Sequence, residues 1–78
     1  MKIIVSQQGK KLIIEFHHGN GIDKYLLDKA ENFLMVIDKF IRKRKLNIKF
    51  FKNAKLEFKN TGLLTERVIR AIIGGLGF

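Results

Sequence analysis

The last stretch of the chain, Asn60 to Phe78, limits the possible folds more than any other. It opens with a polar turn, Asn60-Thr61-Gly62, and then places Thr65 and Glu66 where the first turn of a helix favours them, since the peptide dipoles leave partial positive charge there. After Glu66 the segment is apolar on nearly every side. A helix of that kind has to be covered on every side, and a small sheet covers only one. Leu64, Val68, Ala71, Ile72 and Gly75 follow one face, while Ile69, Ile73 and Leu76 follow another. The pattern therefore predicts one face for the chain's own sheet and a second, centred near Val68, Ile72 and Gly75, for another helix.

The rest of the chain supplies that sheet. Lys2 to Gln7 is rich in β-branched residues, Gln8-Gly9-Lys10 reads as a turn, and Lys11 to Phe16 alternates as a second strand. His17-His18-Gly19-Asn20-Gly21 reads as a loop by its glycines and asparagine. From Asp23, placed to cap it, a long helix is predicted to about Lys45, because Leu26, Leu27, Ala30, Phe33, Leu34, Ile37, Phe40 and Ile41 recur at spacings of three and four. Its cationic last turn, Arg42-Lys43-Arg44-Lys45, suits the carbonyl end of a helix. Leu46 to Asn53 is a connector, and Ala54 to Lys59 reads as a strand with Leu56 and Phe58 on one face. The expected fold is a single α/β (α+β) domain over residues 1–78. It is a small β-β-α-β-α sandwich, a hairpin plus one further strand, with the long helix as crossover and both helices on one sheet face.

Seventy-eight residues are near the lower size at which one core suffices, and 46% hydrophobic content is ordinary for a folded domain. With no cysteine there is no disulfide framework and no thiolate site, which fits a reducing compartment. No run of about 18 apolar residues is present to span a bilayer, so a cytoplasmic protein without a membrane partner is expected. Catalytic chemistry finds little support. His17 and His18 are adjacent and point to opposite sides, and neither a carboxylate pair nor a cysteine stands at ligand spacing to them. Gly74, Gly75 and Gly77 close a helix instead of opening one, unlike a phosphate loop. Neither an enzyme nor a cofactor is expected.

Two binding readings remain. Residues 1–39 carry six Lys/Arg against five Asp/Glu, and residues 40–78 carry ten against two. The net charge of +9 is thus concentrated in the second half. Arg42, Lys43, Arg44, Lys45, Lys49, Lys52, Lys55 and Lys59, interleaved with Phe50 and Phe51, form a candidate nucleic-acid surface. The cations would neutralise phosphates and the aromatics would stack on bases; the alternative is a solvated cationic edge. The other reading begins from the apolar surplus on the two helices. Phe33, Ile37, Leu64, Val68, Ala71, Ile72 and Gly75 are the candidate protein interface, for a homodimer or a heterodimer. Burial contributes roughly 25 cal/mol per Å², so a few hundred Å² would outweigh any single charge contact.

The second half also resembles a known family. A helix with Leu-Leu near its start, a Lys-rich connector, a short strand, Asn60-Thr61-Gly62, Thr65, Arg67-Val68, and a closing Ala71 with Gly75-Leu76-Gly77-Phe78 are similar to the bacterial tRNA threonylcarbamoyladenosine scaffold subunit, TsaB, of the actin-like ATPase superfamily. The likeness covers about residues 24–78. It implies half of an actin-like domain and a non-catalytic, dimerising subunit in tRNA modification. Its two helices would pack against those of a larger catalytic paralogue or of a second copy, with tRNA or another nucleic acid near the basic segment. The family's Gly-Pro-Gly-Ser loop is not present, since Thr61-Gly62 runs through Leu63-Leu64 directly to Thr65, and no nucleotide site of the superfamily is expected.

Overall fold

The computed structural model describes residues 1–19, 21–46 and 54–75. Strand β1, Lys2–Gln8, turns back into β2, Lys11–His18. The two-residue turn between them has Gly9 at φ +62°. A tight hairpin needs this left-handed conformation at its first turn residue, and glycine adopts it without steric cost. A third strand, β3, spans Gly21–Leu27. A single 3₁₀ turn, Ala30–Asn32, then leads into α1, Phe33–Arg44, followed by β4, Lys55–Lys59, and α2, Leu63–Gly75.

The molecule is mixed α+β, as expected: a four-stranded mixed sheet in the order β3-β2-β1-β4, with two helices. The additional strand is the main difference from the expected arrangement. Residues 23–29 do not belong to the long helix. Asp23 is in the middle of β3, paired with Phe16, and helical structure begins only after Lys29, which is itself extended at φ −137° and ψ 138°. Leu26 and Leu27 fit the helical spacing that continues through Ala30 and Phe33, but in the strand Ile22 and Leu26 point to one face while Asp23, Tyr25 and Leu27 point to the other. His17 and His18, expected in a loop, close β2.

Strand directions fix where the helices start. β1 is antiparallel to β2, β2 is antiparallel to β3, and β1 is parallel to β4. Hence β3 and β4 end at the same edge of the domain, and α1 and α2 leave from that edge side by side. Both helices cover one sheet face, and one core lies between the layers. Ile3, Val5, Leu12, Ile14 and Phe16 meet Phe33, Val36, Ile37 and Phe40 from α1 and Ile69 from α2. At its centre the Phe16 and Phe40 rings stack 4.2 Å apart, nearly parallel, with Tyr25 edge-on to Phe16 at 5.8 Å. At the β4 edge the Arg70 guanidinium sits 5.0 Å above the Phe58 ring and also donates to Glu66 at 3.1 Å, which holds α2 against its strand.

α1 ends at Lys45, which is left-handed at φ 54°, while the Leu46 amide returns to the Ile41 carbonyl at 3.0 Å. This closes the free carbonyls of the last turn. None of the helices among the described residues is long and apolar enough to cross a membrane.

Phe40 is fully buried and bridges the two layers. Phe40→Ala is expected to lower unfolding free energy by about 3–5 kcal/mol, read from urea denaturation. Leu26→Thr, on the exposed face of β3, should change it by no more than about 0.5 kcal/mol. The reverse order would place residues 23–27 in a helix packed on the core.

Candidate functional site

Two groups of chemistry-bearing residues come together in the fold, and they divide the basic segment between them. The first is internal. Asp23 is buried, with a side chain only 5% exposed, because the alternation of β3 turns it toward α1. Arg44 grips it in bidentate fashion, Nε to Oδ2 at 2.8 Å and Nη2 to Oδ1 at 2.9 Å. Lys43 Nζ donates to Oδ1 at 3.1 Å, and His18 Nε2 donates to Oδ2 at 2.8 Å. Because a carboxylate only accepts, the proton is on His18 Nε2. The His18 ring also packs 5.6 Å from Phe40. Arg44, first among these partners, holds the Asp23 carboxyl well below the usual carboxylate range, against the opposing effect of burial; Lys43 and His18 add to the lowering.

This cluster changes the reading of the basic segment. Lys43 and Arg44 are bound to Asp23, and Arg42 pairs with Asp38 one turn back at 3.2 Å. Lys55 and Lys59 are on the sheet face away from the helices, because Leu56 and Phe58 between them pack on the core. They stand about 13 Å apart along β4, by the rise per strand residue. The six expected nucleic-acid contacts among the described residues thus do not form one continuous surface. Lys49, Lys52, Phe50 and Phe51 lie outside the described residues.

The second group is the outer surface of the helical layer. Leu34 and Met35 on α1 and Leu63 and Leu64 on α2 are exposed, Leu64 at 76%. All four belong to the first turns of their helices, and those turns are side by side. A groove of about 600 Å³ follows α1 along Glu31, Leu34, Met35, Asp38 and Ile41. A second hollow, about 200 Å³, lies between Ala30 and the start of α2 at Leu64, Thr65 and Val68. Glu31 lines both, so the two hollows meet there.

The expected interface residues fall into two sets. Phe33 and Ile37 are buried in the core, because the face of α1 that carries them rests on the sheet, and Ile37 also forms part of the groove wall. Ile72 packs partly against the same core, and Val68 lines the smaller hollow. Leu64, Ala71 and Gly75 are exposed. Sequence reasoning missed Met35 and Leu63, although their offset of one position from Leu34 and Leu64 marks them as flanking the same surface. It also missed the His18–Asp23 pair, which are five residues apart and join only across the β2–β3 register.

The outer sheet face is different in character. Ile22 and Leu26 are exposed there, interspersed with the Glu15–His17 hydrogen bond at 2.9 Å and the ion pairs Lys2–Glu57 at 2.9 Å and Lys11–Asp28 at 2.7 Å. Lys11 and Lys2 hold Asp28 and Glu57 below the usual carboxylate range. No group of three or more metal-ligating side chains occurs among the described residues. Comparison with protein-family models, curated proteins and solved structures finds no match to this chain.

Asp23→Asn keeps the shape but removes the charge that its partners require. Charge-assisted bonds of this type contribute about 1.5–3 kcal/mol, and the variant should lose a comparable amount in urea denaturation at pH 7. Because the folded pKa is depressed, the stabilisation from Asp23 is fully present above the unfolded carboxyl value near 4 and is lost as pH falls below it toward the folded value. Stability of the native chain should therefore drop between about pH 4 and pH 2, with a clearly smaller drop in Asp23→Asn. Equal slopes would mean that Asp23 is not bound as described.

Proposed function

We propose that this chain is a non-catalytic docking module that works through the outer surface of α1 and α2, in the manner of a scaffold subunit. One observation carries the reading. Four large aliphatic side chains, Leu34, Met35, Leu63 and Leu64, are exposed at the end of the domain where both helices begin; Leu34 and Met35 line a groove of about 600 Å³, and Leu64 lines a second hollow of about 200 Å³. Single exposed leucines are ordinary, but an aliphatic group next to a concavity is the usual mark of an interaction site. The surface is formed by whole helices on a rigid core, so little ordering entropy is lost when it is covered.

The resemblance to the TsaB family, carried by Asn60-Thr61-Gly62, Thr65, Arg67-Val68 and Gly75-Leu76-Gly77-Phe78, supplies the class of partner: a larger subunit of tRNA threonylcarbamoyladenosine modification. The two helices would then pack against two helices of that subunit. A nucleic-acid role is the weaker reading, because Lys43 and Arg44 give their charge to Asp23 and Lys55 and Lys59 face away from the helices.

The test is sedimentation at micromolar concentration, of the chain alone and mixed with the catalytic subunit of that family. The expected result is an assembly that Leu34→Glu and Leu64→Glu each weaken at least tenfold. Because both side chains are exposed, circular dichroism and melting temperature should stay near those of the unaltered chain. A species that remains monomeric in both samples removes the docking reading.

A further inference from the structure

The chemistry of the occupant is legible in how charge is arranged along the two helices. Exposed α1 residues run in order Leu34, Met35, Asp38, Lys39, Arg42 and Lys43, and on α2 they run Leu63, Leu64, Arg67, Arg70, Ala71, Gly74 and Gly75. The helices start together and both are aliphatic at that end; α1 is cationic in its last turn, and α2 carries Arg67 and Arg70 at its middle. Asp38 offsets Arg42 and Glu66 offsets Arg70, while Lys39 and Arg67 have no ion pair among the described residues. From Leu34 to Arg42 the rise is about 12 Å, or a little over two turns.

Resting on the docking reading, we infer that the occupant is a helix of a different protein, aliphatic where it meets Leu34, Met35 and Leu64 and acidic one to two turns further along, where it meets Lys39, Arg42 and Arg67. A second copy of this chain fits poorly. Two-fold packing of the helical layers brings the same patch from each copy together, and full overlap then sets either the cationic ends against each other or the cationic end of one copy on the aliphatic end of its mate. Overlap of the aliphatic ends alone covers little area, and both copies carry +9. Like charges in contact cost several kcal/mol of specificity. A nucleic acid would satisfy the cations but not the groove, since the large exposed apolar side chains among the described residues are all aliphatic and offer no ring for a base.

The experiment uses the full chain with fluorescently labelled, helix-favouring peptides that share one Leu/Ile patch and carry either three Glu or three Lys three to eight positions beyond it. A 20-nucleotide single-stranded RNA and the chain by itself are measured in parallel. The Glu peptide is expected to bind at least tenfold more tightly than the Lys peptide in 50 mM salt, with the ratio shrinking in 500 mM salt. Joint replacement of Lys39, Arg42 and Arg67 by Gln should remove most of the ratio, while Leu34→Glu should abolish binding of both peptides. Equal binding of the two peptides, with loss in Leu34→Glu, would leave the docking surface standing and overturn the acidic partner. Micromolar self-association that Leu64→Glu abolishes would make the occupant a second copy. RNA binding unaffected by Leu34→Glu, with neither peptide bound, would remove the acidic helix and the docking reading together.

Discussion

A carboxylate almost excluded from water sits between the sheet and the end of the long helix, and three side chains from two elements converge on it. Left alone, Asp23 would oppose the fold, because an unpaired buried charge is more costly than most single contacts can offset. With Arg44, Lys43 and His18 around it, the same charge fixes three things together. It sets the pairing of β3 on β2, since His18 and Asp23 meet only in that register. It places the last turn of α1 over β3. Because α1 is held at that end and stacked through Phe40 on Phe16 near its middle, its opposite face is presented to solvent at a defined angle. Replacing such a cluster with apolar side chains can leave a protein as stable; what this cluster supplies is a set of directional contacts that tie the end of α1 to β2 and β3.

That arrangement determines the character of the exposed surface. Phe33, Val36, Ile37 and Phe40 face the core, so Leu34 and Met35 face outward. On α2 the core takes Ile69, with Ile72 and Ile73 beside it, and leaves Leu63 and Leu64 at the open end. The exposed aliphatic residues of both helices share one end because the chain reverses direction in the same sense before each helix, and on α1 the cationic last turn lies at the other end. A helical surface that is aliphatic where both helices start and cationic in the last turn of α1 follows from topology and periodicity together, without a separate structural device.

The sequence by itself determined the fold class, the first hairpin, the strand at residues 55–59 and the closing helix, because each rests on local alternation, turn chemistry or helical periodicity that neighbours in the chain supply. It also marked the closing helix as carrying more apolar surface than one sheet can cover. Only the tertiary structure decided the state of residues 21–27, where Leu26 and Leu27 suit a helical spacing as well as a strand and where pairing with β2 settles the choice. The same holds for the basic segment. A run of cations reads identically whether it faces solvent or a buried carboxylate, and the partner of Lys43 and Arg44 is a residue about twenty positions away that no local pattern points to. Which leucines remain exposed was likewise fixed by the angle at which the helices lie on the sheet, a quantity set by packing and by Asp23 rather than by the spacing of the residues themselves.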